Sequence, residues 1–192
     1  MSIQEELLKL AAEGKTYDLI YADPPWSFKT YSKKGEDKSP TKHYDTMTIE
    51  DICAIPVQQV ASKDCILLMW VYQPLADKSF DVMKAWGFEY KSIAFVWDKL
   101  SKTGTKRHMS TGYYTRAGME MVILGRKGNP PRVADRGVRQ VFSAPIREHS
   151  RKPDCVYDFI DRLYPEGNKL EMFARSSYRK NWTKVGDEAG KF

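Results

Sequence analysis

Apolar and polar residues recur along the chain with two periods, and these periods predict alternating helices and strands. The first 14 residues begin with the capping box Ser2-Ile-Gln-Glu5, continue with apolar positions at helical spacing and end at Gly14. This pattern predicts an amphipathic helix. The uninterrupted apolar run 17–22 predicts a buried strand. The same patterns predict short helical turns over 48–53 and 57–61, helices over 75–86 and 153–164, and strands over 65–71, 90–97, 119–125, 138–142 and 169–173.

The order of these elements, strand then helix then strand, predicts an α/β fold built on a mainly parallel sheet. With 192 residues, we expect one domain with a sizeable core over 1–192, in which 1–14 form the amino-terminal helix. Two polar stretches, 27–46 and 98–116, are too long to be simple connections. We interpret them as mobile loops that border an active site.

The composition is that of a globular protein, with 42% hydrophobic and 29% charged residues. No stretch approaches the roughly 18 consecutive apolar residues of a membrane span, and the amino terminus lacks the pattern of a signal peptide. The cysteines Cys53, Cys65 and Cys155 are scattered, without disulfide pairing or metal-ligand spacing. We therefore expect a cytoplasmic location, no disulfide framework and no metal site.

The most informative segment is Asp23-Pro24-Pro25-Trp26, which directly follows the first predicted strand. An exocyclic amine of a nucleobase is a poor nucleophile because its lone pair is delocalised into the ring. Asp23 can accept one N–H of such an amine, and the carbonyl of Pro24 can accept the other from a backbone that both prolines make rigid. Trp26 offers a flat face for a base taken out of its stack. The segment thus predicts methyl transfer to an exocyclic amine; the alternative is a turn after a strand, with Trp26 in the core.

The net charge of +6 is unevenly distributed along the chain. The segment from Arg126 to Lys152 holds eight Lys or Arg and two acids, so its excess equals that of the whole chain. An isolated basic run is usually a solvated loop. Beside a motif that handles bases, however, it favours a surface that attracts phosphates, and so a nucleic-acid partner.

The expected signature of a nucleotide-like cofactor is missing, because no Gly-x-Gly-x-x-Gly loop opens a helix. The best substitute is the apolar strand 170–175, where Arg175 can bind a carboxylate or hydroxyls. The later acids Asp187 and Glu188 can accept hydrogen bonds from hydroxyls or an amino group, and strand-end ion pairs are the alternative. The segment 149–153 precedes a helix and suits either an anion or a simple cap. Glu120 lies in an apolar run and needs a partner if it is buried, unless it faces outward from an edge strand.

Taken together, these residues resemble the MT-A70 family, the adenine-N6 methyltransferases of nucleic acids. The resemblance runs from about Tyr17 to Glu188. Its most specific parts are the first and the last of the matching motifs. In chain order the matching segments are 23–26, 43–47, 67–71, 86–88, Glu120, 149–153, 169–175, Trp182 and 186–188.

The resemblance implies a Rossmann-like class I methyltransferase fold with permuted (class β) motif order, helices on both faces of the sheet, and S-adenosylmethionine as the methyl donor. In this order the catalytic segment precedes the donor-binding strand, which accounts for the missing glycine loop. The implied catalytic residues are Asp23, Pro24, Pro25 and Trp26. The implied donor site comprises Asp23, Pro24, Ser150, Lys152, Phe173, Arg175, Ser177, Asp187 and Glu188, and the implied substrate site comprises Trp26, Tyr44, Glu120, His149 and Arg151.

The chain departs from the family pattern near its carboxyl end. Gly186-Asp187-Glu188 stands where Gly-Asn followed by Glu or Gln is common, and Ser177-Tyr178 stands where the family has His-Asn. No Asp-hydrophobe pair for the adenine of the donor is found before Lys15. These departures fall at positions that the resemblance implies for contacts to the donor.

We therefore expect an adenine-N6 methyltransferase that acts on a flipped-out or single-stranded adenine of DNA, because the compact chain shows no RNA-binding appendage. The same reaction on RNA is the nearest alternative, since the target base is identical. A non-catalytic nucleic-acid-binding subunit is a second alternative, which the intact segment 23–26 disfavours. A small-molecule amino methyltransferase is a third, which the basic segment disfavours.

Overall fold

The computed structural model of the protein describes residues 1–27, 46–112, 114–148, 150–175, 179 and 181–186. Within these residues the chain forms one seven-stranded sheet flanked by helices. The strands are β1 (Tyr17–Ala22), β2 (Ala61–Val71), β3 (Glu89–Leu100), β4 (Met119–Lys127), β5 (Val141–Pro145), β6 (Lys169–Met172) and β7 (Thr183–Val185). The helices are α1 (Ile3–Ala12), α2 (Ile49–Cys53), α3 (Ala76–Ala85) and α4 (Cys155–Leu163), with 3-10 turns at Val57–Gln59 and Gln73–Leu75.

The order of the strands across the sheet is β5-β3-β4-β2-β1-β6-β7. Neighbouring strands are parallel except where β4 is involved, because β4 runs antiparallel to both β2 and β3. The sheet is therefore mixed but mostly parallel, as the predicted α/β fold requires. One consequence matters for function: the carboxyl ends of β1, β2, β3 and β6 share an edge with the beginning of β4.

Each face of the sheet supports its own hydrophobic core. On one face, α1, α2 and α3 bury residues such as Leu7, Ile52 and Val82 against the strands. On the other face, α4 buries Val156 and Ile160. This arrangement confirms the Rossmann-like fold with helices on both faces. None of the described helices is both long and apolar enough to cross a bilayer.

Local signals in the sequence place several element ends. The capping box starts α1, since the Ser2 amide donates to Glu5 Oε2 at 2.8 Å and the Glu5 amide donates to Ser2 Oγ at 3.3 Å. Thr48 caps α2 by accepting from the Asp51 amide at 3.1 Å. These caps satisfy backbone N–H groups that the helix leaves free, which explains why the predicted starts are confirmed.

Other boundaries differ from those predicted, because pairing with a neighbouring strand overrides local polarity. β3 continues to Leu100, where its polar end pairs with β4 and β5, so the stretch 98–116 begins within a strand. β5 begins at Val141, three residues later than expected, and β2 begins at Ala61, within the expected turn 57–61. The short strand β7 was not predicted. Most of the predicted loop 27–46 lies outside the described residues.

Candidate active site

A cluster of charged side chains lies at the edge of the sheet where β1 ends and β4 begins. Asp23 directly follows β1, and Lys152 comes from the segment before α4. Glu120 is the second residue of β4, where it pairs with Trp97 of β3. Because β4 is antiparallel, its beginning and not its end meets Asp23. The topology thus brings together residues that are far apart in sequence.

These charges alternate in sign along a short chain of contacts. Lys152 Nζ lies 3.1 Å from Asp23 Oδ2 and 3.1 Å from Glu120 Oε2. Lys99 Nζ lies 2.5 Å from Glu120 Oε1. The side chains of Lys152, Asp23 and Glu120 are 16%, 22% and 24% exposed, so water screens these contacts only in part. Glu120 therefore has the partner that its burial requires.

The surroundings shift the proton affinities of these groups in different directions. Burial raises the pKa of Asp23, although the charge of Lys152 opposes this shift. Burial also disfavours ionised Glu120, but Lys152 and Lys99 together outweigh it and lower the pKa of Glu120 to about 2. For Lys152, burial is outweighed by Asp23 and Glu120, which raise its pKa above the ordinary value. Asp23 is thus the carboxylate of this pair that more readily accepts a proton.

Two tryptophan rings support the ammonium groups of this cluster. Lys152 Nζ lies 5.1 Å from the centroid of the Trp70 ring, and Lys99 Nζ lies 4.9 Å from that of Trp97. The two rings pack edge to face with centroids 6.4 Å apart. Trp70 Nε1 also donates to Tyr21 Oη at 2.6 Å, which fixes its orientation. The buried rings therefore hold both lysines in place by cation–π contacts.

A cleft opens to solvent beside the cluster. The cleft brings together five residues predicted for the donor site and one predicted for the substrate site, along with three further residues. Its lining consists of Tyr21, Asp23, Ser150, Arg151, Lys152, Tyr157, Glu171, Phe173 and Arg175.

Sequence reasoning missed Glu171, Tyr157 and Tyr21 in this lining. Glu171 is 5% exposed, and its Oε1 accepts a hydrogen bond from Tyr157 Oη at 2.6 Å. Its other oxygen, Oε2, is buried and has no hydrogen-bond partner among the residues that the structure describes. Burial raises the pKa of Glu171 to about 7, against the opposing effect of the Tyr157 hydrogen bond. Glu171 is a polar residue in an apolar strand, the same signal that singled out Glu120, so the pattern was available.

Backbone strain is concentrated in the same cleft. Among the described residues other than glycine, positive φ occurs at Ser150, with φ 60°, and Phe173, with φ 59°. Each such conformation costs roughly 1–2 kcal/mol for a residue with a side chain. Both residues line the cleft. Strain that the fold tolerates at two such positions is typical of a functional site.

The predicted stacking face of Trp26 needs correction. The ring is 6% exposed and packs into the core with residues of β1 and β2, so it offers no open platform. The alternative, a core tryptophan, fits this position. The carbonyl of Pro24 accepts the Trp26 amide at 2.9 Å and that of Pro25 accepts the Met47 amide at 2.9 Å. A carbonyl has two lone pairs, so Pro24 can still accept a second hydrogen bond.

Part of the basic segment has a structural role. Arg147 donates to both carboxylate oxygens of Asp154, at 2.6 and 2.8 Å, and to the carbonyl of Lys152 at 2.6 Å. Arg151, predicted for the substrate, lies 3.2 Å from Glu148 and 3.7 Å from Asp154. Arg147 therefore positions the segment that presents Lys152. Four other cations of the segment are exposed. Arg126 donates to the Gly128 carbonyl at 3.0 Å, and the other three are Arg132, Arg136 and Arg139.

Five predicted site residues lie outside the described part of the chain. They belong to the substrate site and to the donor site, and their assignment stays a prediction. They are Tyr44, His149, Ser177, Asp187 and Glu188.

The amino-acid sequence of the chain is similar to those of known proteins. A sequence model of the MT-A70 family matches residues 17–188. The chain is 35% identical over 183 residues to Type II methyltransferase M.MunI from a Mycoplasma species, a match that covers 85% of this chain and 74% of that protein. It is 28% identical over 183 residues to the human N(6)-adenosine-methyltransferase catalytic subunit METTL3, covering 94% of this chain and 29% of that protein. It is also 28% identical over 191 residues to the human N(6)-adenine-specific methyltransferase METTL4, covering 93% and 38%.

The matches include the candidate site but not the full length of the human relatives. The chain spans a minor part of each human relative, and the matched part contains the whole cluster around Asp23 and the cleft beside it. The match to the family covers both the segment 23–26 and the strand that leads to Arg175. The chain belongs to the MT-A70 family.

Proposed function

We propose that the protein transfers a methyl group from S-adenosylmethionine to the N6 amine of adenine in DNA. The observation that supports this most strongly is the Asp23 carboxylate, held 3.1 Å from Lys152 at the edge of the cleft. The names of METTL3 and METTL4 describe N6 methylation of adenosine and adenine. We choose DNA because M.MunI, which the match covers along most of its length and most of this chain, is a type II methyltransferase.

The residues of the cleft fit the proposed donor. S-adenosylmethionine bears a carboxylate and, near it, an ammonium and a cationic sulfur. Arg175 offers a guanidinium for the carboxylate, and the acids Asp23 and Glu171 suit the cationic groups. The buried Oε2 of Glu171 requires a hydrogen-bond donor or a cation, and an ammonium meets that need. When bound, the donor would supply a methyl group that leaves its sulfur, which becomes a neutral thioether, and bonds to N6.

Asp23 and Pro24 would prepare the amine for this transfer. The Asp23 carboxylate accepts one N–H of adenine, and the second lone pair of the Pro24 carbonyl accepts the other. Two fixed acceptors hold the nitrogen so that its lone pair points away from the ring system and toward the cleft. Lys152 keeps Asp23 ionised before the transfer. Its charge therefore favours the form of Asp23 that accepts a hydrogen bond.

The product of the transfer carries one proton too many. The nitrogen gains a bond to carbon and a positive charge, and one of its two protons must leave to give the neutral methylated amine. Asp23 already accepts a hydrogen bond from that nitrogen, and burial raises its pKa above the ordinary value. Asp23 is thus placed to take this proton and pass it to water.

The proposal is tested by incubating the protein with tritiated S-adenosylmethionine and matched DNA and RNA oligonucleotides. The expected result is incorporation into DNA, with N6-methyldeoxyadenosine as the labelled nucleoside after digestion. Incorporation into RNA alone would assign the same chemistry to the alternative polymer. The absence of label from both would contradict the proposed activity.

A further inference from the structure

The segment that joins β3 to β4 has a definite architecture. We call residues 101–118 the arm. At its base, the His108 amide donates to the Lys99 carbonyl at 2.8 Å, and the Lys99 amide donates to the Gly118 carbonyl at 2.9 Å. Farther out, Ser110 and Ala117 exchange two backbone hydrogen bonds, of 2.8 and 3.1 Å. The arm therefore folds back on itself as an antiparallel ladder.

Two large side chains on the described part of the arm are exposed to solvent. A Cβ atom on Gly112 would lie 2.0 Å from the Thr115 carbonyl oxygen, so a residue with a side chain does not fit there. Tyr114 is fully exposed at 102%, and Met109 is 73% exposed. Tyr114 contributes no burial to the fold, and Met109 contributes little. Two such groups on one short arm indicate a contact surface.

The charge of the arm indicates what it contacts. Lys102, Lys106, Arg107 and Arg116 are all exposed, and the arm contains no Asp or Glu. A surface that combines cations with an exposed aromatic ring suits a polyanion whose bases have flat faces. An acidic protein surface would satisfy the cations but would not specifically require the ring. These features together favour nucleic acid.

The arm is anchored next to the charged cluster. Lys99, which holds the base of the arm through its backbone, contacts Glu120 through its side chain. Tyr114 precedes Glu120 by six residues, so their Cα atoms are at most about 20 Å apart. Successive phosphates of one DNA strand are about 3.4 Å apart along the helix. Tyr114 therefore lies within a span of about six nucleotides, at that spacing, from Glu120.

We propose that the arm grips the substrate strand beside the target adenine, with Tyr114 stacked on a flanking base and the arm's lysines and arginines against phosphates. This inference rests on the proposed function and adds a second contact to it, outside the cleft. Stacking on a tyrosine is tolerant of base identity. The arm would therefore strengthen binding and hold the strand in register rather than choose the sequence.

The test measures binding of a fluorescent, adenine-containing single-stranded DNA by anisotropy at several salt concentrations. Tyr114→Ala should lower the affinity about 5- to 100-fold at every salt concentration, because the ring on which the base stacks is removed. The slope of log affinity against log salt should stay unchanged, since stacking releases no counterions. Tyr114→Phe should bind within about twofold of the parental protein, because the ring remains. Lys106→Ala should instead reduce the salt slope by about one unit.

Tyr90→Ala is the matched control, because Tyr90 is 41% exposed and contacts Phe80 away from the arm. It should bind DNA like the parental protein. If Tyr114→Ala binds DNA with parental affinity while the parental protein methylates DNA, the arm inference is wrong and the proposed function stands. If Tyr114→Ala changes only the sedimentation of the protein, the arm contacts another protein copy and the inference is equally wrong. A parental protein that binds DNA but never methylates it would contradict the proposed function alone.

Discussion

At the scale of single residues, Lys152 separates two carboxylates that would otherwise repel each other. Its ammonium is 3.1 Å from both Asp23 and Glu120, and Arg147 holds its backbone carbonyl. A lysine supplies this charge without the planar geometry of arginine, so it fits between two acids that approach from different strands. The ionisation of Asp23 therefore depends on a residue far from it in sequence.

Replacement of this charge should shift the pH dependence of methyl transfer. In Lys152→Met the Asp23 carboxylate keeps its burial and loses its cation, so its pKa should rise further. Since the ionised form accepts the amine, activity should be lost at a higher pH as the solution is acidified. We expect single-turnover rates near neutral pH to fall on the order of 10²-fold.

Lys99→Met is the control for this experiment, because Lys99 contacts Glu120 and not Asp23. It should produce a smaller shift of the acidic limb. Identical pH profiles for Lys152→Met and the parental protein would show that Lys152 does not control Asp23.

Because Glu171 is buried, its ionisation should lower the free energy of unfolding as the pH rises. Its pKa is 4.5 in the ordinary state and about 7 in the fold, so between these values the unfolded chain releases a proton that the folded chain keeps. Stability present below the lower pKa is therefore lost as the pH rises through the upper one. Glutamine cannot ionise and its oxygen can still accept from Tyr157. Glu171→Gln should thus be more stable than the parental protein at about pH 8, by on the order of 2 kcal/mol, and similar at about pH 5.

Urea unfolding at the two pH values measures this difference, and other titrating groups cancel in the comparison. A difference in unfolding free energy that is the same at both values would contradict the assigned pKa. Tyr157→Phe supplies a second check, because it removes the hydrogen bond that favours ionised Glu171. The free energy of unfolding of Tyr157→Phe should therefore fall more between about pH 5 and about pH 8 than that of the parental protein.

At the scale of elements, periodicity predicted most of the fold but not the meeting of Asp23 with Glu120. The strands β1, β2 and β6 are predicted because each contains an apolar run that the sheet buries, and Asp23 is singled out because it follows the first of them. The direction of β4 leaves no trace in local sequence. Only its antiparallel pairing with β2 and β3 brings Glu120 to the edge where β1 ends.

The end of β6 and the turn after β7 are packed so closely that a glycine is needed between them. Gly186 has φ 132°, and a Cβ atom there would lie 2.9 Å from Phe173 Cα and 3.0 Å from the Ala174 amide nitrogen. These are backbone atoms and cannot rotate away. Gly186→Ala should therefore cost about 1–3 kcal/mol of stability and displace Phe173 in the cleft.

The measurements for this variant are thermal unfolding and calorimetric titration with S-adenosylhomocysteine, the demethylated donor. We expect a lower midpoint together with weaker binding. Gly14→Ala is the control, because Gly14 also has positive φ, of 71°, but a Cβ atom there meets nothing within 4 Å. It should lower stability without weakening binding. Equal binding by both variants would contradict the role given to Gly186.

At the scale of the whole molecule, the positive charge divides into structural and exposed groups. The sequence could locate the excess between Arg126 and Lys152, but not which cations pair internally, because pairing depends on how the segment folds around α4. Arg147 and Lys152 are held by acids, whereas Arg132, Arg136 and Arg139 are exposed. The sequence leaves the burial of Trp26 as an alternative for the same reason, since it depends on packing between distant elements.

This division predicts the salt dependence of DNA binding. Changing Arg132, Arg136 or Arg139 to glutamine should reduce the slope of log affinity against log salt by about one unit for each arginine that binds a phosphate. Arg147→Gln should instead lower the stability of the protein, because it breaks the pair with Asp154 and frees the Lys152 segment. Anisotropy titrations and thermal unfolding separate the two effects. Unchanged slopes for all three exposed arginines would place the DNA surface elsewhere.

The decisive comparison is between the parental protein and Asp23→Asn, which keeps the size of the side chain and removes its charge. We predict that Asp23→Asn binds DNA with an affinity of the same order as the parental protein, because phosphate contacts dominate that affinity. Its transfer of labelled methyl groups to adenine N6 of DNA should fall by at least about 10²-fold in single-turnover measurements. Transfer by Asp23→Asn at a rate comparable to the parental one would contradict the role of Asp23.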